Sequence, residues 1–203
     1  MIEIKDLNLT LREPILKDAN FKFQDGKLYL LHALNGTGKT SVLRALVDLV
    51  APSSGQVLFD GQPFAKKKNQ VFYLETSDWF DKNLSGYDYM QFVKNEWHSE
   101  QNLTAIINRW EMSSYVKTSI KKYSLGMKQK LVVALYELSD AKYLLMDEIN
   151  NGLDTDSREI LYQELTKLAK QGKLIIMASH YQDEVAGIVN DTLTLKHHQL
   201  TRG

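Results

Sequence analysis

Cysteine is absent from the 203 residues, proline occurs only three times, and the formal charge is zero, with 25 basic side chains against 25 acidic. Each shortage removes a class of protein. Without cysteine there is neither a disulfide scaffold nor a thiolate metal site, which suits a reducing compartment. So little proline, beside eleven glycines, excludes collagen-like and low-complexity chains. Zero net charge leaves no global electrostatic case for a nucleic acid or an anionic surface, so no nucleic-acid partner is expected. Long hydrophobic runs are also missing. The best, Leu28–Leu31 and Leu174–Ala178, fall far below the roughly 20 residues that span a bilayer. The opening MIEIKDLNLTLREP carries an acidic residue at position 3 and no apolar stretch, so no secretory signal is expected. There is no internal repeat, and the one charge run, Lys66–Lys68, reads as a solvated loop. What is present, 43% apolar and 10% aromatic residues, makes a folded chain of one domain's length.

Two kinds of strand pattern can be read. Ile2, Ile4, Leu7, Leu9 and Leu11 alternate with polar residues, with a shift of face near Asp6. Phe21 and Phe23 lead to an Asp25-Gly26 turn, and Val57–Phe59 precede Asp60-Gly61. These predict a small antiparallel sheet. By contrast Leu28–Leu34, Tyr143–Met146 and Leu174–Ala178 are nearly continuous apolar runs, as expected of central parallel strands buried on both faces. Between the last two, Ile160, Leu161, Leu165 and Leu168 recur at helical spacing, with Asp154 or Thr155 to cap the start and Gly172 to close the end. The stretch from about 84 to 122 is helical in pattern and rich in aromatics, and reads as a helical insertion in a single domain covering 1–203.

The segment Ala33-Leu-Asn-Gly-Thr-Gly-Lys-Thr40 lies directly after a buried strand and before the helical pattern Val42, Leu43, Leu46, Val47. A phosphate-binding loop requires that context. Gly36 and Gly38 let backbone N–H groups converge on an anion, and the next helix adds its positive end. Lys39 supplies a cation for the β- and γ-phosphates and the Thr40 hydroxyl can ligate Mg²⁺. Asn35, Gly36, Thr37, Gly38, Lys39, Thr40 and Ser41 are thus the expected nucleotide contacts. Alanine stands at position 33, where glycine is usual. It costs on the order of 1 kcal/mol if φ is positive there and little if φ is negative.

Nucleotide kinases, GTPases and many ATPases share such a loop, so a second signal must decide. Tyr143-Leu-Leu-Met-Asp147-Glu148 places Asp147 at the exit of a buried strand, where it can hold the Mg²⁺ shell, with Glu148 beside it to polarise a water. A third signal is Tyr123-Ser-Leu-Gly-Met-Lys-Gln129, which opens a helix with Ser124 as a good N-cap. This YSLGMKQ segment resembles the signature motif of ABC-type ATPases. The order of landmarks also matches that family over nearly the whole chain: phosphate loop, signature, Asp-Glu strand, Asn151-Gly-Leu-Asp154, then Ser179-His180 after a last apolar strand.

The resemblance implies a P-loop α/β fold with a mainly parallel core sheet, an N-terminal antiparallel subdomain and a small helical subdomain. It further implies a Mg²⁺-dependent ATPase, working as a homodimer or heterodimer. Each ATP would be held between the phosphate loop of one subunit and Ser124 and Gly126 of the other. Asp154 would lie on the loop joining the two sites. Glu148 would be the catalytic carboxylate and His180 would contact the γ-phosphate and fix the attacking water. Membrane-spanning subunits on separate chains would be the partners, placing the chain in the cytoplasm on the inner face of the membrane. The signature variant resembles that of peptide and drug exporters.

The sequence departs from the family at several positions. Leu11 stands where an aromatic usually stacks on adenine, so base discrimination should be modest. Thr76, with Glu75 beside it, stands where a glutamine joins Mg²⁺ to the membrane-facing subdomain. Leu125 replaces a signature glycine, and Ile149-Asn150 replaces Pro-Thr. These bear on coupling more than on nucleotide binding. A soluble regulatory ATPase with little turnover is the alternative they motivate. The aromatic-rich segment from about Ser77 to Trp97, with Tyr73 just before it, is the expected docking segment for a membrane subunit, and Trp79 and Phe80 are the rings whose loss should weaken assembly.

Overall fold

The computed structural model describes residues 1–34, 36–179 and 182–203. Strands β1 (Ile2–Thr10), β2 (Pro14–Phe23) and β4 (Ser54–Phe59) pair antiparallel in the order β2-β1-β4. The larger sheet runs β5 (Val71–Tyr73), β6 (Tyr143–Asp147), β7 (Leu174–Ala178), β3 (Leu28–His32), β8 (Asp191–Lys196), β9 (Gln199–Arg202). All its pairs are parallel except the closing β8–β9 hairpin. The helices are α1 (Lys39–Leu46), α2 (Gly86–Glu96), α3 (Leu103–Arg109), α4 (Leu125–Ser139), α5 (Thr155–Lys170) and the short α6 (Gln182–Val185).

The continuous apolar runs are continuous because both faces of the parallel sheet are covered. Leu28, Leu30, Leu144, Met146, Ile175 and Met177 point into one core with α4 and α5, while Tyr29, Leu31, Leu145, Ile176 and Ala178 point into the other with α1 and the antiparallel sheet. Alternation is therefore present inside each run but hidden, since the two faces are equally apolar. The change of face near Asp6 is a register shift between Ile4 and Leu7, where Asp6 takes φ +46° and exchanges hydrogen bonds with Asn20.

The segment between 84 and 122 holds α2 and α3. Ser85 and Asp88 form a reciprocal cap at the start of α2, and Asn102 caps α3. Their apolar residues do not make a separate core. Met90, Val93, Ile106, Ile107 and Trp110 join the cluster that includes Phe72 and Tyr136. Phe72 sits between Trp97 and Tyr136, 4.9 and 4.8 Å away centroid to centroid, and the Trp97 indole donates to the Val71 carbonyl at 3.1 Å. The insertion is thus anchored on the edge strand β5 by rings. None of the helices among the described residues is long and apolar enough to cross a membrane.

Candidate active site

Three strand ends converge on the head of α1. The loop after β3 carries Gly36 and Gly38 at φ +78° and +106°, a backbone region that other residues rarely adopt, so glycine is required at both. Ala33 is not among the positive-φ residues, so the missing first glycine costs little. Gly38 also packs against Ile15 of β2, whose Cγ2 would lie 2.7 Å from any added Cβ. Thr37 closes the loop by donating to the Leu34 carbonyl at 2.7 Å.

Lys39 is only 7% exposed, and its ammonium donates to the Ala33 carbonyl at 3.1 Å while lying 3.8 Å from Glu148 Oε1. The phosphate loop is therefore pinned by its own lysine. The Thr40 hydroxyl donates to Asp147 Oδ2 at 2.5 Å, bridging α1 to the end of β6. Asp147 Oδ1 is buried and has no hydrogen-bond partner among the described residues. Burial raises the Asp147 carboxyl above its ordinary range, against the opposing effect of the Thr40 hydroxyl. An orphaned carboxylate oxygen beside a hydroxyl is a pair of hard oxygen donors, and it fits Mg²⁺. Ser41 sits half-buried in the next position of α1.

Glu148 follows with φ +48°, while its N–H still bonds the Ala178 carbonyl at 2.9 Å. This left-handed residue breaks the strand directly after Asp147, at a strain cost of about 1 kcal/mol. Asn150 and Ser179 are both buried; the Ser179 hydroxyl donates to Asn150 Oδ1 at 3.2 Å, and the Asn150 amide donates to the Tyr162 hydroxyl at 3.2 Å. The Ile149-Asn150 departure thus ties the exits of β6 and β7 together. Gln129 of α4 reaches the same turn, donating to the Ile149 carbonyl at 2.5 Å.

A second group gathers at the start of α4. Ser124 caps the helix by accepting from the Met127 N–H at 3.2 Å, and Asp154 caps α5 by accepting from the Ser157 N–H at 2.8 Å. Ser124, Gly126 and Asp154 line one hollow of about 200 Å³. A Cβ on Gly126 would stand 3.3 Å from the Gly152 carbonyl, so the α4 start and the 150–154 loop are closely packed. No hydrogen bond joins Lys39, Thr40 or Asp147 to Ser124, Gly126 or Asp154 among the described residues. Asn35 and His180, both expected at the site, lie outside the described residues.

Several features were not foreseen from the residues alone. Arg44 of α1 grips Glu75 through two bonds, 2.6 and 2.5 Å, and the Tyr73 hydroxyl donates to the same carboxylate at 2.8 Å. Glu75 is thereby held well below its ordinary range, chiefly by Arg44. Thr76 instead caps a short turn, accepting from the Asp78 N–H at 3.2 Å. Phe80 is a correction: it is 6% exposed and packs on Tyr89 at 4.7 Å, so it is a core ring and no docking residue. The exposed rings of that region are Trp79, at 52%, and Phe92, at 58%. They flank a groove of about 480 Å³ that also takes in Leu49 and Trp97. Leu11 is exposed, and Ile15 is the apolar residue against the phosphate loop.

A family model described as ABC transporter matches residues 16–151. The lantibiotic transport ATP-binding protein SrtF of Streptococcus pyogenes is 30% identical over 188 residues, 91% of this chain and 82% of its own length. The zinc transport system ATP-binding protein TroB of Treponema pallidum is 26% identical over 214 residues, 100% of this chain and 80% of its own. A solved ATP binding subunit of an ABC transporter superposes with a TM-score of 0.92 at 20% identity, covering 100% of this chain and 89% of that one. The dimeric ADP- and phosphate-bound ATP-binding cassette MJ0796 gives 0.87 at 18% identity, covering 100% and 97%. At such identities the structural likeness establishes the fold.

Proposed function

The chain belongs to the ABC transporter family as an ATP-binding, ATP-hydrolysing subunit, and from that premise we propose that it drives export of a peptide-like cargo, as a dimer docked on membrane-spanning subunits of separate chains at the inner membrane face. The observation that carries this reading is the meeting of the phosphate loop with the acidic strand end, Thr40 on Asp147 at 2.5 Å and Lys39 near Glu148 at 3.8 Å. Loop amides from Asn35 to Ser41 and the Lys39 ammonium would bind the β- and γ-phosphates. Thr40 and Asp147 would hold Mg²⁺, which supplies charge neutralisation on the phosphate oxygens.

Glu148 would accept the proton of a water whose oxygen attacks the γ-phosphorus, as the bond to the bridging oxygen of ADP breaks. His180 would orient that water. Ser124 and Gly126 are exposed or half-buried at a helix start and would face the γ-phosphate of a second copy, with Asp154 on the loop behind them. The lantibiotic transport relative supports a peptide cargo, and the groove beside Trp79 and Phe92 supports docking of a membrane subunit.

Glu148→Gln tests the assignment. Phosphate release should fall about 10² to 10⁴-fold, the usual effect of losing a general base, while ATP is retained and a dimer accumulates in light scattering. Undiminished release would overturn the role of Glu148. Negligible release by the unaltered chain with Mg²⁺ would favour a regulatory module with little turnover.

A further inference from the structure

The β8–β9 hairpin turns through two residues, His197 and His198, between the paired Lys196 and Gln199. Both histidines have positive φ, +49° and +62°. A two-residue turn of this kind favours Asn-Gly or Gly-Gly, and side-chain-bearing residues there are strained. The turn is also fixed in place: the Lys17 N–H bonds the His198 carbonyl at 2.9 Å, and the Gln199 amide donates to the Lys17 carbonyl at 2.7 Å. Lys17 belongs to β2, two residues from the Ile15 that packs on Gly38 of the phosphate loop.

Between turn and loop lies a cavity of about 600 Å³, walled by His32, His197, His198, Ile15, Ala33 and Thr37 among others. Its size is that of a small-molecule site. The Nδ1 atom of His32 is buried and has no hydrogen-bond partner among the described residues. No group of three or more metal-capable side chains gathers in one place among the described residues. Leu11 is not among its walls.

We infer that His197 and His198, both exposed at the cavity wall, supply the ring faces on which a nucleotide base stacks, and that the strained turn is kept for this purpose. The inference rests on the nucleotide reading proposed above. Phosphates seated on the loop would direct the nucleoside past Ile15 into this cavity. Stacking tolerates any base because every base has a π face. The histidines therefore raise affinity for purine nucleotides and do little to separate adenine from guanine.

The test replaces both rings with the residues the turn prefers, His197→Asn with His198→Gly, so that the variant is expected to fold at least as stably. Equilibrium binding of Mg·ATP, Mg·GTP and inorganic triphosphate would be measured for the full chain. ATP and GTP should both weaken about tenfold, equivalent to roughly 1.4 kcal/mol, with triphosphate unchanged. A His197→Phe variant should keep or raise nucleotide affinity. Unchanged ATP and GTP binding in the Asn-Gly variant would overturn the inference, and so would equal loss for triphosphate, which would place the effect on the phosphate loop. In the unaltered chain, ATP preferred over GTP by more than about a hundredfold, roughly 2.7 kcal/mol, would also overturn it. If the unaltered chain bound neither ATP nor triphosphate, the nucleotide reading itself would fail and this inference with it.

Discussion

The head of α1 and the head of α4 are both glycine-bearing turns that open a helix, yet they are finished differently. At α1 the polar groups are used within the chain: Lys39 is buried between the Ala33 carbonyl and Glu148, and Thr40 is bonded to Asp147. At α4 the Ser124 hydroxyl makes its local cap and no other hydrogen bond among the described residues, and Leu125 beside it is 66% exposed. The first region is shaped from three strand ends that must meet, so its geometry is set by the fold. The second is a rigid helix start presented to solvent. On the proposed reading, one is a site and the other is half of a site, waiting for a second molecule.

Ser124→Asp would sharpen that contrast. Aspartate caps a helix as well as serine, so the melting temperature should stay within a few degrees of the unaltered chain, but a negative charge would face the partner's γ-phosphate. Phosphate release should fall about 10²-fold, the order seen when a charge-stabilising donor is lost, with ATP binding by the single chain unchanged. A release rate equal to that of the unaltered chain would dissolve the distinction between the two helix heads.

A smaller effect is expected at the groove. Replacing the exposed Trp79 and Phe92 with alanine should weaken capture by the membrane subunit about tenfold, roughly 1.4 kcal/mol, without changing the melting temperature of the isolated chain. Phe80→Ala should do the opposite, since emptying a buried phenylalanine site costs about 3–5 kcal/mol of stability. Equal loss of stability in both variants would show that the exposed rings are structural as well.

The smallest effect concerns the grip of α1 on the strand end leading to that groove. Arg44 is 41% exposed, so solvent screening limits its pair with Glu75 to about 1 kcal/mol. Glu75 is lowered below its ordinary value of 4.5 by Arg44, so the folded state binds its proton less readily than the unfolded chain. The contribution is full above pH 4.5 and disappears as pH falls through the lowered folded value. Arg44→Met should therefore lower stability at pH 7 by about 1 kcal/mol, and the difference should vanish in strong acid. A pH-independent difference in denaturant midpoints would assign the loss to packing.

Much of this architecture can be read in advance because the signals are local. Gly36, Gly38, Lys39 and Thr40 are adjacent in sequence, so their loop is determined by short-range geometry. The run Tyr143–Met146 states its own burial before Asp147 and Glu148 arrive. Ser124 and Asp154 are caps whose partners lie three residues on. What was illegible involves residues far apart. No pattern links Arg44 to Glu75, Gln129 to Ile149 or Asn150 to Ser179, since each pair meets only when strands of a parallel sheet are set side by side. Phe80 and Trp79 are adjacent aromatic residues, and tertiary packing, Phe80 against Tyr89, made one core and left the other exposed.

The sequence by itself determined the class of fold, the phosphate loop and the acidic strand end, because backbone conformation and strand burial follow from neighbouring residues. Only the tertiary structure decided which rings face solvent, what occupies Glu75, and that a histidine turn near position 198 stands over a loop near position 36. Such proximity is fixed by sheet order: β8 pairs with β3 although the two are more than a hundred residues apart in the chain, and hydrogen-bond register, which no local pattern encodes, brings their ends together.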